Sequence, residues 1–311
     1  MTKGRNFPSS VVIREVGPRD GFQNEPEIIA TADKIALIDR LARTGCKRIE
    51  VTSFVRPDVI PQLADAREVL AAIDVPAGVA RSVLIPNECG LDRALQQRER
   101  FEEIAVFLSA SETHNRHNVN RSVGESLAGL DAVISGAREA GLRVEAVIST
   151  SFGCPYEGVV PRRRVLALAR HLADAGAQEI AFGDTTGMAN PIQVRAHFEE
   201  AAAMFGDDVQ LTAHLHNTRG QGLANVLAAL QAGCTSFESS FGELGGCPVP
   251  AGATGNIATE DLVSMLHEMG IQTAIDLSAL LHAAYAVREI LGRELGSHTL
   301  IAGPIDWKRP G

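Results

Sequence analysis

Apolar positions along this chain follow two alternating periods. Stretches such as Thr31–Thr44, Val123–Ala140, Arg162–Ala175 and Gln221–Ala232 carry apolar residues at helical spacing, with short β-branched runs between them. One phrase joins the two periods: a helical stretch, a small residue and glycine, then a strand. It occurs as Ala42-Arg-Thr-Gly-Cys-Lys-Arg-Ile-Glu-Val51, as Ala137-Arg-Glu-Ala-Gly-Leu-Arg-Val-Glu-Ala146, as Ala173-Asp-Ala-Gly-Ala-Gln-Glu-Ile-Ala-Phe182 and as Leu230-Gln-Ala-Gly-Cys-Thr-Ser-Phe-Glu-Ser239. Glycine there ends a helix in the left-handed conformation and turns the chain into the next strand. Recurrent helix–glycine–strand units predict parallel strands joined by crossover helices. Eight strands are predicted, over 11–16, 48–53, 77–83, 103–109, 143–149, 178–183, 210–216 and 235–240. Eight β/α units in this length predict an α/β fold of the TIM (β/α)8 barrel type, with additional C-terminal helices. No Gly-x-Gly-x-x-Gly follows the first strand, which argues against a dinucleotide-binding open sheet. Without a Pro/Ser-rich linker, residues 1–311 are expected to form one catalytic domain, with 259–311 a helical extension packed on the barrel.

Composition narrows the picture. The 311 residues are 45% hydrophobic and 22% charged, the balance of a globular protein. A net charge of −9 predicts no nucleic-acid partner, because that needs a basic surface. No run reaches the roughly 20 apolar residues that span a bilayer, so no membrane association is expected. Residues 1–10 show no hydrophobic signal segment, and the five cysteines (Cys46, Cys89, Cys154, Cys234, Cys247) are scattered and odd in number. A reduced, cytoplasmic setting is the expectation.

In such barrels the chemistry gathers at the C-terminal ends of strands and in the loops beyond them. Unusual polar residues stand at those places here: Arg19, Asp20 and Gln23 after the first strand, Glu50 and Ser53 ending the second, and Ser109, Ser111 and Glu112 after the fourth. Asp184 and Thr185 follow the sixth, and His214, His216 and Asn217 end the seventh. The eighth loop holds Glu243-Leu-Gly-Gly-Cys-Pro248 and Gly252-Ala-Thr-Gly-Asn256. Side chains alternate along a strand, so His214 and His216 share one face. Two such rings either bridge a cation or are satisfied by neighbouring carbonyls; facing Asp20 across the mouth, a cation is the better account. Two imidazole nitrogens, a carboxylate and open positions suit Mg2+ or Mn2+, and no cysteine pair adjoins the histidines to favour thiolate zinc. Glu50, in an otherwise apolar strand, reads either as a desolvated carboxylate fit for proton transfer or as a partner of Arg19, and the two are compatible. Cys247, in a Gly-Gly-Cys-Pro loop, reads as a thiol carried over the mouth on a mobile loop or as an incidental cysteine. Cys154 reads as a loop-packing residue. Gln23, Ser53, Ser111, Asp184 and Thr185 are expected to line the substrate site.

These motifs together resemble the 3-hydroxy-3-methylglutaryl-CoA lyases, within the wider TIM-barrel group of metal-dependent lyases and Claisen-type synthases. The resemblance is carried by Glu15-Val-Gly-Pro-Arg-Asp-Gly-Phe-Gln-Asn-Glu25, Ile49-Glu-Val-Thr-Ser-Phe-Val55, Gly153-Cys-Pro-Tyr-Glu157, Gly183-Asp-Thr-Thr-Gly187 and His214-Leu-His-Asn-Thr218. Most specific is Leu244-Gly-Gly-Cys-Pro248 leading to Gly255-Asn-Ile-Ala-Thr-Glu-Asp261, and the match runs from about residue 11 to 290. It implies that Asp20, His214, His216 and Asn256 ligate Mg2+ or Mn2+, that Arg19 stabilises an enolate, that Glu50 assists at the metal and that Cys247 takes part in proton transfer. It further implies an acyl-CoA substrate, no nucleotide cofactor beyond the CoA moiety, and a homodimer or higher homo-oligomer. The implied reaction is retro-Claisen cleavage of hydroxymethylglutaryl-CoA to acetyl-CoA and acetoacetate. Phe22, Pro26, Val59, Asn217 and Val249-Pro250 depart from the family pattern without removing a proposed ligand or the thiol. The alternatives are the same chemistry on another 3-hydroxy-3-carboxyalkyl thioester such as citramalyl-CoA, a condensing synthase, or a non-catalytic CoA-thioester-binding barrel.

Overall fold

The computed structural model describes residues 7–246 and 255–307. Its strands are β1 (Val12–Glu15), β2 (Arg48–Ser53), β3 (Ala80–Leu84), β4 (Glu103–Ser109), β5 (Arg143–Ser149), β6 (Glu179–Gly183), β7 (Gln210–His214) and β8 (Ser236–Ser239). All pair in parallel, and β8 closes on β1 to make an eight-stranded barrel. The helices are α1 (Thr31–Leu41), α2 (Ala66–Ala72), α3 (Glu88–Leu95), α4 (Glu112–Val119), α5 (Val123–Glu139), α6 (Arg162–Asp174), α7 (Pro191–Phe205) and α8 (Gly222–Gln231), followed by α9 (Thr259–Glu268), α10 (Leu277–Leu291) and α11 (His298–Ala302). None is long and apolar enough to cross a membrane among the described residues.

The helix-to-strand joints form as the sequence predicts. Gly45, Gly141, Gly176 and Gly233 all take positive φ, between 72° and 113°. At Gly45 a Cβ would also lie 2.0 Å from the Ala274 carbonyl, so the joint tolerates no side chain. The first, sixth and eighth strands are shorter than expected by one residue at one or both ends, and the third and seventh depart further. The third begins at Ala80 because Pro76–Val79 forms a turn closed by the Val79 amide on the Pro76 carbonyl (3.2 Å). The seventh stops at His214 because the chain beyond it leaves the barrel ladder: His216 bridges antiparallel to Asn256, and Ile257 N–H donates to Leu215 (3.0 Å).

Alternation along the strands sorts two environments. Ile13, Ile49, Val106, Ile148, Phe182 and Phe237 pack outward with Leu37, Ile38, Val133, Ile134, Val165 and Phe198 of the helices, all in one buried apolar cluster. The alternate positions face inward and carry the buried charges. Arg14 on β1 reaches across the barrel to Glu103, Glu145, Glu179 and Glu238. Arg48 on β2 meets Glu103 and Glu179. Buried charges persist only when paired, and each of these guanidiniums holds several carboxylates.

The C-terminal helices pack on this frame. Asp261 of α9 accepts from Ser297 Oγ (3.0 Å) and from the amides of His298 (3.0 Å) and Thr299 (2.6 Å), which fixes the start of α11. The expected helical tract after Thr259 is thus three helices, interrupted where Gly270 ends the first.

Candidate metal centre and active site

Asp20 is placed by a single wide turn, Gly17–Gly21, directly after β1. The Val16 carbonyl accepts from both Arg19 (3.1 Å) and Asp20 (2.7 Å), which curls the chain back over the barrel mouth. Beneath the turn, Glu15 Oε1 accepts from the amides of Gly17 (2.8 Å) and Phe241 (3.1 Å), and Oε2 accepts from Thr259 Oγ1 (2.6 Å). One carboxylate thereby ties the first and eighth loops together, and burial pushes it up to about 7.

Arg19 donates through Nη1 to Asp20 Oδ1 and through Nε to Glu50 Oε2, both at 2.6 Å. Asp20 also accepts from Gln23 Nε2 (3.0 Å) and Asn256 Nδ2 (2.6 Å). Burial works to raise the Asp20 carboxyl, but Arg19 and the two histidines overcome it and hold it below the usual range. For Glu50 burial prevails over Arg19, with Glu238 adding to it, and the carboxyl is raised. Both sequence readings of Glu50, a desolvated carboxylate and a partner of Arg19, describe the same group.

His214 and His216 do share a face: their Nε2 atoms approach to 3.2 Å. His214 Nδ1 donates to Glu238 Oε2 at 2.8 Å, so its Nε2 is the atom turned to the mouth. Burial alone would lower His214, but the Glu238 contact raises it. One ligand atom from each of Asp20, His214 and His216 lies within 4.8 Å of the others. Asn256 adjoins this group through its hydrogen bond to Asp20. Its Nδ2 is committed to Asp20 and to the Leu244 carbonyl (3.2 Å), while the buried Oδ1 has no hydrogen-bond partner among the described residues. An orphaned buried carbonyl oxygen beside two imidazoles and a carboxylate is the donor set of a hard divalent cation.

The remaining expected residues lie at the ends of their strands with partners of their own. Ser53 Oγ accepts from Val55 N–H (3.1 Å). Ser111 caps α4 by accepting from His114 N–H (3.1 Å) and receives Cys154 Sγ (3.0 Å), which fits the packing role read for Cys154. Thr185 Oγ1 accepts from Thr150 N–H (3.2 Å). Asp184 Oδ1 accepts from Met188 (2.8 Å) and Ala189 (2.9 Å), its Oδ2 is buried with no hydrogen-bond partner among the described residues, and burial pushes the carboxyl up to about 7. Cys247 and residues 248–254 lie outside the described residues. A hollow of about 430 Å³ opens at the other end of the barrel, lined by Arg48, Glu103 and Arg143, and the paired state of those charges leaves it no part in this site.

Sequence reasoning overlooks Glu238 and Arg14. The signal exists: Gly233-Cys-Thr-Ser-Phe-Glu238 repeats the offset of Gly45-Cys-Lys-Arg-Ile-Glu50, each placing a carboxylate in an apolar strand.

A hydroxymethylglutaryl-CoA lyase of Bacillus subtilis is 49% identical over 294 residues, 94% of this chain and 97% of the relative; a crystal structure of a B. subtilis HMG-CoA lyase, also 49% identical and covering 95% of this chain and 98% of its own, superposes with a TM-score of 0.92. A 3-hydroxy-3-isohexenylglutaryl-CoA/hydroxymethylglutaryl-CoA lyase of Pseudomonas aeruginosa is 42% identical over 292 residues, 94% of this chain and 96% of the relative. An HMG-CoA lyase from Acinetobacter baumannii, solved with coenzyme A and 3-methylmalate, is 40% identical, covers 100% of this chain and 99% of its own, and superposes with a TM-score of 0.92. The family model described as HMGL-like spans residues 10–287, which takes in all eight strands and Asp20, His214, His216 and Asn256, and the chain belongs to that family.

Proposed function

We propose that this chain is a carbon–carbon lyase that cleaves 3-hydroxy-3-methylglutaryl-CoA to acetyl-CoA and acetoacetate with a divalent cation, Mg2+ or Mn2+, held by Asp20, His214, His216 and Asn256. The observation that carries the reading is the grouping of Asp20, His214 and His216, beside an Asn256 whose Nδ2 donates to Asp20 and whose buried Oδ1 has no hydrogen-bond partner among the described residues, in a chain 49% identical to a hydroxymethylglutaryl-CoA lyase. The cation would lower the pKa of the substrate's tertiary hydroxyl and orient the molecule.

The chain's own groups supply the rest. Glu50, buried and raised, is suited to take the hydroxyl proton. As the carbon–carbon bond breaks, its electron pair moves onto the thioester, and the Arg19 guanidinium, anchored on two carboxylates, stabilises the enolate oxygen. Cys247 is assigned the transfer of a proton to that enolate, which yields acetyl-CoA. Gln23, Ser53, Ser111, Asp184 and Thr185 are assigned to the substrate wall. One catalytic unit, residues 1–311 with the tract 259–311 as its extension, working in the cytoplasm as a homodimer or higher homo-oligomer, completes the proposal.

The test is acetyl-CoA release from hydroxymethylglutaryl-CoA by purified protein with Mg2+ or Mn2+, abolished by EDTA. Citramalyl-CoA and the isohexenylglutaryl-CoA named for the Pseudomonas relative serve as competitors. Robust cleavage of either, with none of hydroxymethylglutaryl-CoA, would overturn the substrate assignment.

A further inference from the structure

We propose that Glu238 is a positioning residue for the metal centre, locking the ring of His214 so that its bare Nε2 faces the cation, and that Arg14 in turn anchors Glu238. The proposal rests on the reading that Asp20, His214 and His216 hold a divalent ion.

Three neighbouring strands build the arrangement. His214 on β7 stands opposite Glu238 on β8, and Glu238 stands opposite Arg14 on β1. The parallel register therefore brings the three inward-facing side chains into one row across the barrel wall. Glu238 divides its two oxygens between neighbours: Oε2 meets His214 Nδ1 at 2.8 Å and Oε1 meets Arg14 Nη1 at 3.0 Å. All three residues are buried, with exposures of 7%, 3% and 1% for His214, Glu238 and Arg14.

A carboxylate can only accept, so the His214 proton is drawn to Nδ1 and the lone pair is left on Nε2. His216 Nε2 stands 3.2 Å from that atom, so the two nitrogens would be able to hold one cation together. Without Glu238 the ring would be free to carry its proton on Nε2, which cannot ligate, or to turn about χ2. Arg14 prevents the carboxylate from moving: the same guanidinium also holds Glu103 (3.0 Å) and lies against Glu145 and Glu179. Loss of such an outer partner typically weakens metal affinity by about 10- to 100-fold.

The experiment titrates metal-free protein with Mn2+ alone, reading free ion by electron paramagnetic resonance. Wild type is compared with Glu238→Gln, Glu238→Ala, His214→Ala and the double variant His214→Ala/Glu238→Gln, and melting of each metal-free protein is recorded alongside. The expected result is a 10- to 100-fold weaker Kd in each Glu238 variant, with Glu238→Gln adding less than twofold once His214 is already alanine. A Glu238→Gln protein that binds Mn2+ within twofold of wild type overturns the proposal. So does an equal loss in both backgrounds, which marks a merely structural residue. If His214→Ala binds Mn2+ as wild type does, the metal site itself is misassigned. A second measurement stands if a variant fails to fold or binds too weakly to titrate. In Mg2+-loaded wild type labelled with 15N-histidine, His214 should show a protonated Nδ1 and an unprotonated Nε2; the opposite tautomer overturns the proposal.

Discussion

His197 on α7 sets an acid limit on the fold. Its ring is 2% exposed, meets Phe182 edge-on with centroids 4.3 Å apart, lies 5.1 Å from Phe152, and its Nε2 has no hydrogen-bond partner among the described residues. Burial among aromatic rings, with Arg162 adding to it, lowers the imidazole from 6.5 to about 3. Between those values the unfolded chain binds a proton that the folded chain refuses, so stability falls as pH drops through 6.5 and levels off only near 3. At pH 5 the unfolded ring is charged and the folded ring neutral, a gap of 1.5 units below 6.5, which amounts to about 2 kcal/mol. His197→Leu removes the titration while keeping the site apolar. Urea unfolding followed by far-UV circular dichroism at pH 7.5 and pH 5.0, with EDTA throughout so that metal release does not enter, gives a difference of differences in which other titrations cancel. Wild type should lose about 2 kcal/mol more than the variant on acidification. Equal losses, within about 0.5 kcal/mol, would refute the reasoning whatever the absolute stability of the variant.

Two further expectations concern the mouth. Gly245→Ala places a Cβ 2.6 Å from Asn256 Nδ2 and 3.3 Å from Asp20 Oδ2 at a φ of +112°, so it should weaken Mn2+ binding at least tenfold and lower the melting temperature; an unchanged titration curve would show that the cradle has slack. Arg19→Lys keeps the charge but cannot span Asp20 and Glu50 as the planar fork does, so kcat for hydroxymethylglutaryl-CoA cleavage should fall about 10²- to 10³-fold while the Mn2+ Kd moves less than tenfold. Turnover near wild type would remove Arg19 from the chemistry.

Much of this molecule is legible along the chain because its signals are local. Helical and strand periods, with glycines at 45, 141, 176 and 233, determine the order of elements, since a left-handed joint is set by one residue and its neighbours. The spacing of His214 and His216 determines a shared face through the alternation of an extended chain. The rest depends on partners far apart in sequence. The end of β7 at His214 follows from pairing of the next residues with Asn256 and Ile257, which no local pattern near 215 encodes. Ser111 stands just after the fourth strand, and only the folded chain shows its hydroxyl capping α4 and receiving Cys154. Asn256 is tied to the mouth only because its amide nitrogen is taken by Asp20, 236 positions earlier, which leaves its buried oxygen without a hydrogen-bond partner among the described residues. Glu238 and Arg14 read as isolated charges in apolar strands until barrel closure sets β1 beside β8 and brings them into one row with His214. The sequence by itself determined which elements form and which residues reach the mouth. Closure of the barrel, which fixes register across non-adjacent strands, decided which of those residues share a proton, a charge or a cation.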